Sequence, residues 1–194
     1  MKQIDYIKRM DSAELRKQMI ISQSILILFS VGGSLLFFES FFVCWKEMFF
    51  WNTEEIIYYG ILPGFIIVTI DLFLTYTLPA KYYDDGGINE KLFANQPVWF
   101  IVTISILVAL SEEMLFRGVI QTTFGYWVAS ILFALVHFRY LRKPVLLVSV
   151  LLVSFYLGYL FRITDNLVVT ITAHFIVDVL LGFFIRFKRE VWVR

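Results

Sequence analysis

Two adjacent glutamates close an apolar run in Leu110-Ser111-Glu112-Glu113-Met114-Leu115-Phe116-Arg117, and the chain's only two histidines, His137 and His174, fall in later apolar runs. An ionisable side chain inside a hydrocarbon-spanning helix costs about 2.5–3.5 kcal/mol on insertion scales, so a chain that keeps several of them puts them to use. The types present suit acid–base work on water, with carboxylates that take a proton and imidazoles that take or give one. They read as an active site buried in a membrane.

Helical spacing sorts these residues into faces. Glu113 and Arg117 are four apart with the acid first, so they meet on one face and can neutralise one another. That pair, taken alone, reads as structural. Glu112 is turned by about 100° from Glu113 and finds only Val108 and Phe116 one turn away, so its partner must come from another helix. Phe133 and His137 share a face, and the ring could support the imidazole, although a lone histidine near a helix end is more often an interfacial residue. His174 and Asp178 lie one turn apart on the last apolar run, a spacing that suits a shared metal, a shared proton or a polar pair facing the bundle interior. Each element is weak in isolation. Together they set an unpaired glutamate and both imidazoles on three helices, and a bundle interior is the one place where all of them escape lipid.

The elements that must position these groups follow from composition. The chain has 194 residues, 59% hydrophobic and 19% aromatic, with a mean hydropathy of +0.76, which is too apolar for a soluble domain and reads as an all-α, polytopic membrane bundle. A net charge of +1, with Lys and Arg in short clusters between apolar runs, excludes a broad nucleic-acid surface. Cys44 is the only cysteine, so a metal would need His and carboxylate ligands. About 20 apolar residues cross a bilayer, and six runs qualify, near 20–44, 56–78, 98–120, 124–138, 144–162 and 165–186. The fourth is short, which implies an earlier start or a turn at Gly125 dipping into the bilayer. Trp45, Trp51, Trp99 and Trp127 fall near span ends and Trp192 just past the last, as interfacial rings do. Pro63 should kink the second span, whereas Gly60 and Gly64 form a small-xxx-small pair suited to helix packing.

Fourteen of the 17 Lys and Arg residues fall on one side when the N-terminus is placed inside, leaving only Lys46, Arg117 and Arg162 outside. Both termini are therefore expected in the cytoplasm. The expected organisation is a cytoplasmic segment over 1–19, two leading helices and a loop over 20–96, a four-helix core over 97–186 and a tail over 187–194. The N-terminal stretch with Ile4, Ile7, Met10 and Leu15 could form an interfacial helix or a solvated tail. Asp71, deep in the second span, reads as a polar tie to a neighbouring helix, and Tyr58 and Tyr59 as lipid-facing or packing residues.

Glu-Glu-x-x-x-Arg, then Phe-x-x-x-His, then His-x-x-x-Asp, in that order, resemble the three motifs of the CAAX-processing and bacteriocin-processing membrane proteases, also called the Abi or type II CAAX prenyl endopeptidase family. Gly158-Tyr159-Leu160-Phe161-Arg162-Ile163-Thr164 is similar to the family's lead-in to the third motif, and the resemblance covers residues 97–186. It implies an intramembrane endopeptidase in which Glu112, assisted by His137, activates water while His174 and Asp178 stabilise the oxyanion, with Glu113, Arg117 and Phe133 in support. Asp178 departs from the version of the motif that ends in asparagine. An ionised carboxylate only accepts hydrogen bonds, so Asp178 could instead orient His174, act while protonated, or join Glu112, His137 and His174 around a divalent metal such as zinc.

The implied substrate is a peptide or protein at the lipid bilayer, and the small size points to a multi-pass protein of a bacterial cytoplasmic membrane engaged in peptide maturation or bacteriocin processing. Two other classes stand beside this one. A non-catalytic scaffold or immunity protein of the same fold would have no physical reason to keep Glu112 and two histidines in lipid. A proton or ion transporter would trace its charges along a path, whereas here they gather on three helices with no pair of broken ones.

Overall fold

The structure is a computed structural model that describes residues 10–79, 82–83, 85–140 and 143–192, with the backbone alone for 189–192. Ile4, Ile7 and the basic residues around them, together with Asp84 of the turn-rich loop and the Trp192 ring, lie outside the described residues and side chains. The protein is an all-helical, multi-pass membrane protein, with no strand among the described residues. Its helices are α1 (Ser12–Phe37), α2 (Phe41–Met48), α3 (Thr53–Thr77), α4 (Ile88–Phe93), α5 (Val98–Phe124), α6 (Tyr126–Val136), α7 (Pro144–Thr164) and α8 (Leu167–Trp192). Five of them, α1, α3, α5, α7 and α8, are long and apolar enough to cross a bilayer.

Two expectations are corrected here. The first span does not run over 20–44. It starts at Ser12, where Asp11 caps the helix by accepting from the Glu14 N–H at 2.7 Å, and it stops at Phe37, after which α2 is a separate short helix. A cytoplasmic segment ending at residue 19 therefore already contains two turns of α1. The fourth run, already short in the sequence, holds a helix shorter than a full span: α6 has 11 residues, about 16 Å of helix against a hydrocarbon layer of about 30 Å. Gly125, at φ +90°, turns the chain sharply from α5 into α6, and only glycine takes that conformation without strain. α6 therefore ends at His137 in the middle of the bundle, and the chain returns through a single 3₁₀ turn, Phe138–Tyr140, to the start of α7.

α8 is the central element and packs on α3, α5 and α7. Its contact with α3 is set by the two glycines expected to pack helices. A Cβ on Gly60 would lie 3.1 Å from Thr172, and one on Gly64 would lie 2.9 Å from Ile176, so only bare backbone allows this approach. The register, 60 with 172 and 64 with 176, shows that α3 and α8 run in the same direction. Pro63 is absorbed differently from a simple kink. The preceding residues Ile56–Ile61 form a π-helical stretch in which Leu62 N–H reaches back to Ile57, and Pro63, lacking an N–H, sits in the first turn of the regular helix that follows. A second π-helical stretch, Met114–Gln121, begins directly after Glu113.

Trp51, Trp99 and Trp127 are exposed near helix ends, as interfacial rings should be. Trp45 is not one of them. It projects from α2 into the notch over Gly118, where a Cβ would meet its ring at 2.9 Å. Leu28, Leu36, Phe73 and Leu152 lie on the outside of the bundle, and Tyr58 and Tyr59 are exposed with them.

Candidate active site

α5, α6 and α8 bring the three motifs to one point. Glu112 and Glu113 stand at the end of the regular part of α5, Phe133 in the last turn of α6, His137 as its terminal cap, and His174 and Asp178 one turn apart on α8. Glu112 Oε2 lies 4.0 Å from His137 Nε2 and 4.0 Å from His174 Nε2. His174 Nε2 lies 3.6 Å from Asp178 Oδ2. The acid without a partner on its own helix thus faces both imidazoles of the chain, from two other helices.

The hydrogen bonds fix which nitrogen does what. His137 Nδ1 is 2.8 Å from the Phe133 carbonyl, which can only accept, so Nδ1 carries the proton and Nε2 is turned toward Glu112. His174 Nδ1 is 3.0 Å from Glu113 Oε1, so it donates to that carboxylate and again leaves Nε2 facing Glu112. Glu113 therefore does more than neutralise Arg117. One of its oxygens accepts from His174 Nδ1 while the other meets Arg117 Nε at 3.4 Å, so Glu113 lies against His174 from one nitrogen and Asp178 from the other. The link from Glu113 to His174 joins residues 61 positions apart, which helical spacing does not show.

Arg117 is completely buried and closes the site from behind. Its Nη2 donates to the Ser154 carbonyl at 3.0 Å, and its guanidinium lies 4.8 Å over the Phe133 ring. Phe133 in turn meets His137 at 4.9 Å, His174 at 5.9 Å and Phe116 at 5.1 Å between ring centroids, so one aromatic side chain touches both imidazoles and the cation. Tyr140 stacks on His137 with ring centroids 5.7 Å apart. These contacts matter because His137 lies beyond the regular helix, where the backbone alone would not hold it.

Three supporting side chains carried no signal in the motifs. Gln23 of α1 is buried and accepts from Ser111 Oγ at 2.6 Å, tying the leading helix to the residue before Glu112. Ser154 of α7 links Arg117 to α6 by donating to the Ser130 carbonyl at 3.0 Å. Asn166, at the start of α8, donates to Glu55 of α3 at 3.1 Å. A buried polar residue on an otherwise apolar helix is the only sequence trace that any of them leaves.

Asp178 is 28% exposed and His137 22%, against 10% for Glu112 and none for Glu113 and Arg117. Exposure therefore falls from the Asp178 and His137 side toward the fully buried ion pair. Among the described residues no three His, Cys, Asp or Glu side chains stand close enough together to hold a metal ion.

Residues 94–180 match the family model described as type II CAAX prenyl endopeptidase Rce1-like. The chain is also 40% identical over 170 residues to the uncharacterized protein YpbD of Bacillus subtilis (strain 168), covering 87% of this chain and 88% of that one. No solved structure matches it. The chain therefore belongs to the Rce1-like type II CAAX prenyl endopeptidase family.

Proposed function

We propose that this protein is an intramembrane endopeptidase of a bacterial cytoplasmic membrane, hydrolysing a peptide bond in a membrane-associated peptide or protein with water activated by Glu112 and His137. The observation that carries the reading is the convergence of two Nε2 atoms on one unpaired carboxylate oxygen, each at 4.0 Å and each with its Nδ1 already committed. A water about 2.8 Å from both Glu112 Oε2 and His137 Nε2 would subtend about 90° between them, close to the angle at which one water can serve two partners.

In this reading Glu112 takes a proton as the water oxygen adds to the peptide carbonyl, and His137 Nε2 aligns the second proton. His174, in its protonated form, donates from Nε2 to the developing oxyanion. Glu112 then returns the proton to the amine nitrogen as the C–N bond breaks, giving a carboxylic acid and a free amine, and the acid's proton then passes to the amine to leave a carboxylate and an ammonium. Asp178, at 3.6 Å from His174 Nε2, acts through that imidazole and leaves the donor role to it.

The same distances weigh against a metal held by Glu112, His137, His174 and Asp178. An ion about 2.1 Å from two atoms 4.0 Å apart would subtend about 144°, far from the tetrahedral angle, so the donor set would have to contract. A water fits the spacing better than zinc does, and the mechanism takes no step through a metal.

The test is reconstitution in detergent with a library of quenched fluorescent peptides, comparing wild type with Glu112→Gln, His137→Ala and His174→Ala. Cleavage falls by at least about 100-fold in each, the scale of removing a general base or an oxyanion donor. Cleavage that persists in all three variants would refute the mechanism, and a wild type inert toward every peptide while its biological effect survives all three substitutions would favour a scaffold. Treatment with a chelator leaves the wild-type rate unchanged, and loss of activity restored by zinc would overturn the water-only reading.

A further inference from the structure

His174, Asp178, Leu181, Ile185 and Lys188 follow one another along α8 at spacings of four, three, four and three residues, which places them on a single helical face. The first two belong to the candidate active site. The last three line a groove of about 500 Å³ that opens one turn further along the same face of α8. α3 supplies one wall through Asp71, Leu72 and Thr75, and α7 the other through Val145, Leu146 and Ser149. Deeper in the bundle Leu72, Val153 and Val177 close the gap between these helices, so the groove begins where α3 and α7 part.

Asp71 is the polar feature of this groove that the proposed mechanism leaves unused. Because α3 and α8 run in the same direction, the glycine contacts fix their register, and the Tyr76 ring meeting Phe184 at 6.0 Å extends it. Asp71 then stands level with Leu181, one turn or about 5 Å beyond Asp178. Its carboxylate is partly buried and faces Ser149 across the groove. Among the described residues no Lys or Arg forms an ion pair with it. Lys188 lines the same groove, with its ammonium over the Phe184 ring at 5.7 Å. Asp85 is already engaged by the Ile88 and Asn89 N–H groups, and Glu90 is exposed at the rim. Among the described lining residues three carboxylates, Asp71, Asp85 and Glu90, stand with one ammonium, Lys188, between apolar walls, a set that complements a peptide that is apolar and basic.

We propose that this groove seats the substrate peptide beside the scissile bond and that Asp71 selects a lysine or arginine side chain within two or three residues of it. The spacing agrees, since an extended peptide advances about 3.3 Å per residue and a long basic side chain spans the remainder. The proposal rests on the endopeptidase reading and deepens it by naming the substrate class.

Peptides identical except for arginine, its neutral isostere citrulline, or glutamate at each position flanking the bond separate the alternatives. Wild-type kcat/KM favours arginine over citrulline by at least 10-fold at one flanking position. Asp71→Asn removes that preference by lowering kcat/KM for the arginine peptide at least 10-fold relative to the citrulline peptide, and Asp71→Lys shifts the preference to glutamate. Equal loss on all peptides, or no change on any, overturns the proposal.

A binding arm, fluorescence anisotropy of the same peptides on Glu112→Gln protein in phosphatidylcholine nanodiscs, reads the groove without cleavage. There too Asp71→Asn abolishes the preference for arginine over citrulline. A protein that cleaves nothing but keeps this Asp71-dependent binding refutes the protease reading alone. One that cleaves without an Asp71-dependent charge preference refutes the groove alone. Leu146→Trp, which fills the groove from α7 and leaves Asp71 intact, weakens binding of all the peptides at least 10-fold, and unaltered binding would show that the peptide lies elsewhere.

Discussion

Glu113→Gln tests the buried ion pair and the orientation of His174 in one perturbation. Glu113 and Arg117 are both fully buried, with Oε2 and Nε 3.4 Å apart, and the other Glu113 oxygen receives His174 Nδ1 at 3.0 Å. At that separation the attraction is about 5 kcal/mol for an effective dielectric constant of 20. Most of it offsets the cost of taking the guanidinium out of water. Removing the carboxylate charge leaves that cost uncompensated, and breaking a buried pair from one side destabilises by about 3–5 kcal/mol. Arg117→Met alone should cost a similar amount, since it strands the carboxylate.

The double variant removes both charges and keeps an apolar chain against Phe133, so it should recover about 3 kcal/mol relative to the sum of the singles. Unfolding in mixed micelles followed by the fluorescence of the five tryptophans measures all four corners of the cycle. Activity separates the second role. Gln retains an oxygen that can accept from His174 Nδ1 and Leu does not, so Glu113→Leu should lose at least 10-fold more kcat than Glu113→Gln under conditions where both remain folded. A single variant within 1 kcal/mol of wild type, or strictly additive effects, would refute the ion-pair argument. Equal activity in Gln and Leu would refute the orienting role.

Gly64→Leu should destabilise by about 1–3 kcal/mol or more through overpacking against Ile176, and Ile176→Ala should recover part of the loss in the same unfolding assay. Phe133→Leu removes the ring shared by Arg117, His137 and His174, so it should cost about 2–3 kcal/mol of stability and lower kcat at least 10-fold with little change in KM. Gln23→Leu deletes one inter-helix hydrogen bond in lipid, for which about 0.6–2 kcal/mol is expected, and cleavage should persist within a few-fold of wild type.

The motif residues were legible in the sequence because helical spacing is local. Glu113 with Arg117, Phe133 with His137, His174 with Asp178, and the packing glycines of α3 all meet as their intervals imply. What spacing does not carry is the partner across helices. The bond from His174 to Glu113 joins residues 61 apart and that from Ser111 to Gln23 joins residues 88 apart, and neither distance leaves a periodic trace. Helix ends were misjudged for a related reason. Hydropathy records how apolar a stretch is, so it merged α1 with α2 and lengthened α6, whereas the actual ends are set by the Asp11 cap and the positive φ of Gly125. The two π-helical stretches are invisible to a pattern that assumes one fixed period.

α8 carries both His174 and Asp178 and is translated after every helix it packs against. A ribosome that has delivered α1 through α7 has made a chain with Glu112 and one imidazole but without the second. Under the proposed endopeptidase mechanism the set is complete only when α8 packs into its slot beside Gly60 and Gly64. Placing His174 and Asp178 together on α8 makes the docking of that one helix the step that would complete the proposed site.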